Sequence, residues 1–194
     1  EHPGCNRGNL YILSNADSVR MYKNDRFIKE YRPEMSPYKH LKHGPILIDD
    51  FIGDALEKNE RFRPKHAKEM ADAMNIVARG SLNHIPKRLY PTALKLALLY
   101  HIDFAEVTKL YTKYIGDWGG TSTVYRFDAL KNGKVIKSVT KEPVNVIRLQ
   151  AEADHTNLTE HHSYDVALVR IRAVDAHGNV LPFYQEPVRI PAEG

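Results

Sequence analysis

The sequence predicts a mainly β protein with an α-helical insertion: one β-sandwich interrupted by a small helical segment, followed by part of a second sandwich. Three observations carry this reading. Short runs at both ends of the 194-residue chain alternate apolar and polar residues, the two-residue period of half-buried strands. Asn132-Gly133 separates two such runs, the strongest two-residue hairpin signal a sequence can carry. Between them, from Pro64 onward, the apolar positions change to helical spacing.

In chain order, Leu10 to Leu13 is a short apolar run, and Ser18 to Tyr22 sets Val19 and Met21 against Arg20 and Tyr22. Asn24-Asp25 supplies residues that tolerate left-handed backbone, so Arg26 to Tyr31 is expected to return as the second arm of a hairpin. A loop with Pro33, Pro37, Gly44 and Pro45 leads to Ile46-Leu47-Ile48, a short buried strand. Three helices are then expected within a segment spanning about 53–117. The first carries Ala67, Met70, Ala71, Met74, Val77 and Ala78 at helical spacing and ends at Gly80. The second starts near Pro91 and carries Ala93, Leu94, Ala97 and Leu98. The third opens on Asp103 with Glu106 three residues on, in the manner of a capping box, and buries Val107, Leu110, Tyr111 and Tyr114. Three short helices are too few for a large core, so they are expected to lean on something else, as a helical insert does.

Beyond them, Thr123 to Leu130 and Lys134 to Thr140 flank the Asn-Gly turn, and Pro143 breaks the pattern. A domain boundary is placed there, dividing the chain into 1–142 and 143–194. Val144 to Ala151, Tyr164 to Val174, Val180 to Tyr184 and Val188 to Ile190 read as further strands. That is about four against the roughly seven of a complete sandwich of this kind. The last segment is either an incomplete domain or the start of one that continues past Gly194.

Composition narrows the function classes. With 42% apolar and 27% charged residues the chain has the make-up of an ordinary globular protein, and no apolar run approaches membrane-spanning length. The net charge of +4 comes from 28 basic residues scattered among 24 acidic ones, which argues against a nucleic-acid binder. A single cysteine, Cys5, excludes an internal disulfide framework and leans toward a reducing, cytoplasmic setting. No glycine pattern of a phosphate-binding loop is present; Trp118-Gly119-Gly120 joins a helix to a strand and reads as a hinge with an aromatic wedge.

Three clusters of polar residues invite a chemical reading. Asp154, His155, Glu160, His161 and His162 have metal-binding side chains but read as a polar loop whose adjacent histidines point apart. Asp49, Asp50 and Asp54 stand at the entrance of the helical segment, where acids favourably meet a helix N-terminus. Arg61, Arg63, Lys65, His66 and Lys68 read as a solvated helix face. No catalytic residue, metal or cofactor is assigned. Exposed aromatic rings stack well on sugars, so Trp118 and Tyr38, with Tyr11 and Tyr22 behind them, are the candidate saccharide contacts.

The run Ser163-Tyr164-Asp165-Val166-Ala167-Leu168-Val169-Arg170-Ile171-Arg172-Ala173-Val174-Asp175-Ala176-His177-Gly178-Asn179-Val180-Leu181-Pro182 resembles the immunoglobulin-like domain near the C-terminus of glycoside hydrolase family 2 β-galactosidases. There a strand ending in Val-Asp is followed by a Gly-Asn turn and Val-x-Pro. Asn15 to Asn24 is similar to the preceding domain of the same family, with Asp25 where glycine is usual, and Glu1-His2-Pro3-Gly4 is similar to the chain leaving its catalytic barrel. Lys42 to Phe51 looks like part of an insertion found in a bacterial subset of the family.

The resemblance implies an immunoglobulin-like sandwich with a helical insert, then the start of a second. It also implies a parent enzyme that hydrolyses β-galactosides with two glutamates on a (β/α)8 barrel. Neither glutamate motif is matched, so the fragment itself is expected to be an inactive accessory region. Its expected partners are the parent's barrel, the carbohydrate substrate and a possible second copy, with no nucleic acid and no membrane. The alternative is a stand-alone carbohydrate- or protein-binding module.

Overall fold

Antiparallel strands and a few short helices make up the computed structural model, which describes residues 10–38, 40–80, 86–100, 103–116 and 123–191. The chain divides into two compact units, Glu1–Pro143 and Val144–Gly194.

The first unit is a β-sandwich with a helical insertion. Strands β1 (Leu10–Ile12), β2 (Ser18–Lys23), β3 (Arg26–Tyr31) and β4 (Ile46–Ile48) come before the helices; β5 (Tyr125–Lys131) and β6 (Lys134–Lys141) come after. They form a four-stranded sheet in the order β3-β2-β5-β6 and a two-stranded sheet β1-β4. Two-residue turns close both hairpins of the larger sheet: Asn24 and Asp25 at φ 49° and 60°, Asn132 and Gly133 at φ 50° and 73°. Asp25 therefore adopts the left-handed backbone for which glycine is usual, as Asp and Asn do more readily than other side chains. Val19, Met21, Tyr31 and Phe127 from one sheet meet Ile46 and Ile48 from the other in a single buried core, with Phe51 beside them. That shared core makes the two sheets a sandwich.

Among the described residues the insertion holds four helices, one more than the sequence suggests: α1 (Ala55–Glu60), α2 (Pro64–Arg79), α3 (Tyr90–Tyr100) and α4 (Phe104–Tyr111), the last continued by a π-helical turn, Thr112–Gly116. Helix α1 has six residues, too short for an apolar period to declare itself. Pro64 occupies the first turn of α2, and the Asp103 side chain accepts from the Glu106 N–H at 2.6 Å to cap α4. Ile52, Leu56, Met70, Met74, Leu96, Leu110 and Ile115 form a second buried cluster. Each such side chain contributes about 1.5–3 kcal/mol over leaving it in water. The buried face of α3 also differs. Leu94 and Leu98 are 60% and 64% exposed, and Leu96 is buried instead. This helix is apolar nearly all round, so its own pattern does not select a face.

The second unit is a two-stranded antiparallel sheet of β7 (Arg148–Ala153) and β8 (Val169–Val174). After β8 the chain turns at Asp175. One carboxylate oxygen of Asp175 accepts the N–H groups of His177 at 2.9 Å and Asn179 at 2.8 Å, the other the Asn179 side-chain amide at 2.7 Å. Gly178 takes φ 78° inside this clasp, a conformation that strains any side chain. The returning segment makes a single bridge, Val174 to Val180, so the strands expected at Val180–Tyr184 and Val188–Ile190 do not form. Pro182, Pro187 and Pro191 deny it ladder donors. Val144 to Ile147 and Tyr164 to Leu168 likewise stay outside the strands.

Candidate functional site

Two of the four aromatic candidates meet. Tyr11 projects from β1, and Tyr38 follows the short 3-10 turn Pro33–Met35. The intervening loop is held by buried Ser36, whose hydroxyl donates to the Pro45 carbonyl and accepts from the Tyr38 N–H. Gly44 lets the loop fold this tightly, for a Cβ there would lie 2.8 Å from the Tyr38 carbonyl oxygen. The two rings sit 6.2 Å apart at 59°, each more than a third exposed. Hydrogen bonding with Tyr38 raises the Tyr11 pKa. Leu41 and Met35, 48% and 58% exposed, flank Tyr38 in sequence. An open tyrosine pair of this kind offers a stacking surface and two hydroxyls, the elements a sugar ring uses.

Tyr22 is not open in this way. The β2–β5 register places it opposite Arg126, whose guanidinium lies 4.2 Å over the ring, and Phe27 meets it edge-on at 5.7 Å. Arg126 is in turn held by Asp25 at 2.7 Å and Asp128 at 3.4 Å. The ring face proposed for a sugar is thus covered by a cation–π contact. Trp118 lies outside the described residues.

The acidic cluster is a structural joint. One Asp50 oxygen accepts from the N–H groups of Ile52 at 3.0 Å and Gly53 at 2.9 Å and from the Asn75 amide at 2.8 Å. Asn75, buried on α2, in turn accepts from the Phe51 N–H at 3.0 Å. The Tyr31 hydroxyl donates to the Asp50 carbonyl and accepts from its N–H, both at 3.1 Å, and burial pushes its pKa well up. Asp49 pairs with Lys29 at 2.7 Å, and Asp54 with Arg26 at 2.6 Å and Lys58 at 2.5 Å. The Lys58 and Arg26 hydrogen bonds hold Asp54 below the usual carboxylate range. These carboxylates fasten the helices to the sheets, and Asp54 reaches sideways to cations instead of capping α1. Asn75 was the residue sequence reasoning missed; a polar side chain on the apolar stripe of α2 was its only signal.

The remaining clusters stay apart. His155 pairs with Asp154 at 2.9 Å and faces Asp165 at 3.6 Å, while His161 and His162 stand exposed in the loop. Among the described residues no three His, Cys, Asp or Glu side chains converge as a metal site requires. Arg61, Arg63, Lys65 and Lys68 are exposed around the start of α2, with His66 half-buried. Among the described residues no helix is long and apolar enough to cross a membrane. Compared with protein-family models, curated proteins and solved structures, the chain matches none.

Proposed function

We propose that this chain is a non-catalytic accessory region of a cytoplasmic β-galactosidase-like glycoside hydrolase, packing on the parent's barrel or shaping its substrate cleft or a subunit interface. The reading rests on the resemblance of the four stretches named above. What supports it physically is the Asp175 clasp: the Val-Asp, Gly-Asn, Val-x-Pro order of the family is the order that lets an aspartate close a turn around a left-handed glycine. The parent would supply the two glutamates, and this chain a rigid sandwich carrying the Tyr11–Tyr38 pair.

With a nitrophenyl galactoside the chain should show no turnover; activity that tracks it through purification would sink the accessory reading. A second reading, a stand-alone carbohydrate-binding module, draws on the exposed tyrosine pair alone. Calorimetric titration with galactosides separates the two. Heat that disappears in Tyr38→Ala supports the module, and no heat at all supports an accessory surface that meets sugar only beside the barrel.

A further inference from the structure

Every residue of β7 is exposed, and the strand has β8 as its single neighbour among the described residues. The Asp154 N–H bonds the Leu168 carbonyl at 3.1 Å, one step beyond the last strand pair, Ala153 with Val169. Antiparallel alternation then turns the N–H groups of Arg148, Gln150 and Glu152 toward β8 and those of Leu149, Ala151 and Ala153 toward the open side. The opposite edge of the sheet is engaged at one end, where Leu181 donates to the Ala173 carbonyl at 2.9 Å beside the Val174–Val180 bridge. Among the described residues β7 is therefore the edge left open along its whole length.

Its side chains say what pairs there. One face of the sheet is wholly apolar: Leu149, Ala151 and Ala153 across from Ala173, Ile171 and Val169. Leu149, Val169 and Ile171 are 52%, 53% and 38% exposed. The other face carries a positive charge at the start of β7, Arg148, and a negative one near its end, Glu152. Run antiparallel to itself about Gln150, this strand sets Arg148 against Glu152 twice. The same register opposes Leu149 to Ala151, both of which offer outward donors and acceptors. One Glu152 oxygen pairs with Arg172 at 3.1 Å, leaving the other for the incoming arginine.

We propose that β7 is a self-pairing edge, joining two copies of this chain into a four-stranded sheet β8-β7-β7-β8 centred on Gln150. Isolated two-stranded sheets are marginal in water, and two more strands under one continuous apolar face remedy that. The proposal is independent of the accessory reading.

Sedimentation of the full chain tests it, the expected result being a reversible species of twice the chain mass. Arg148→Glu sets like charges opposite each other and should weaken association roughly tenfold. Arg148→Glu with Glu152→Arg should restore it. In a Cys5→Ser background, Gln150→Cys should form a disulfide-linked dimer on oxidation, and Arg172→Cys, on the same face but on the outer strand β8, should not. A monomer at every concentration overturns the proposal. So does a dimer that Arg148→Glu leaves intact, that the double variant fails to restore, or that cross-links equally through Arg172→Cys.

Discussion

The two units hold themselves together by different means. In Glu1–Pro143 two sheets and a helical layer bury two separate apolar clusters. In Val144–Gly194, among the described residues, only Val174 and Asp175 are buried. What shapes the second unit is local: one hairpin ladder and an aspartate closing a turn. Register and turn geometry can thus be specified by a few polar contacts where almost nothing is packed, but cooperativity cannot. The first unit should unfold as a block and the second should open piecemeal.

The largest blow to that contrast is Leu56→Ala. Leu56 is fully buried between helices, and the cavity should cost the first unit about 3 kcal/mol in urea unfolding. Hydrogen exchange in β7 and β8 should not change; a matched loss there would mean the units share one transition. Asn75→Ala strips the Phe51 N–H and one donor to Asp50 inside the joint and should cost about 2 kcal/mol, again in the first unit alone.

Gly178→Val acts on the other side of the comparison. It should destabilise the last turn by about 1 kcal/mol through its positive φ, raising exchange at His177 and Asn179 and leaving the urea midpoint of the first unit in place. Unaltered exchange would mean the clasp is not what orders the turn. The smallest effect is acidic. Hydrogen bonds from Lys113 and then Tyr114 hold Glu60 below the usual carboxylate range, so its contribution is present above the unfolded value of about 4.3 and lost as pH falls through the depressed one. Glu60→Gln should flatten the acid limb of the first unit's stability by a few tenths of a kcal/mol at most.

How far the residues foretold this depends on the range over which each feature is decided. Turns were legible because two adjacent residues decide them: Asn24-Asp25 and Asn132-Gly133 read directly as left-handed pairs. The α2 stripe and the Asp103 cap needed only neighbours three and four positions away. Leu96 against Leu94 and Leu98 was not legible, since the surroundings select the buried face of an all-apolar helix. Nor was the fate of Tyr22, because Arg126 arrives from a strand beyond the insertion. The tyrosine pair was half-legible: both members were named, but their meeting depends on the Ser36–Pro45 tie.

One consequence of the β3-β2-β5-β6 order concerns time. Strand β2 finds β3 across a two-residue turn, whereas β5 reaches it only after the whole insertion, as the bond from the Val124 N–H to the Asn24 side chain, 100 positions apart, records. Closing so long a span is entropically slow, and a prefolded spacer shortens it. The insertion's helices have a buried core of the kind such a spacer needs. Weakening their core should slow refolding more than it hastens unfolding, with the β2–β3 hairpin waiting on its distant mate.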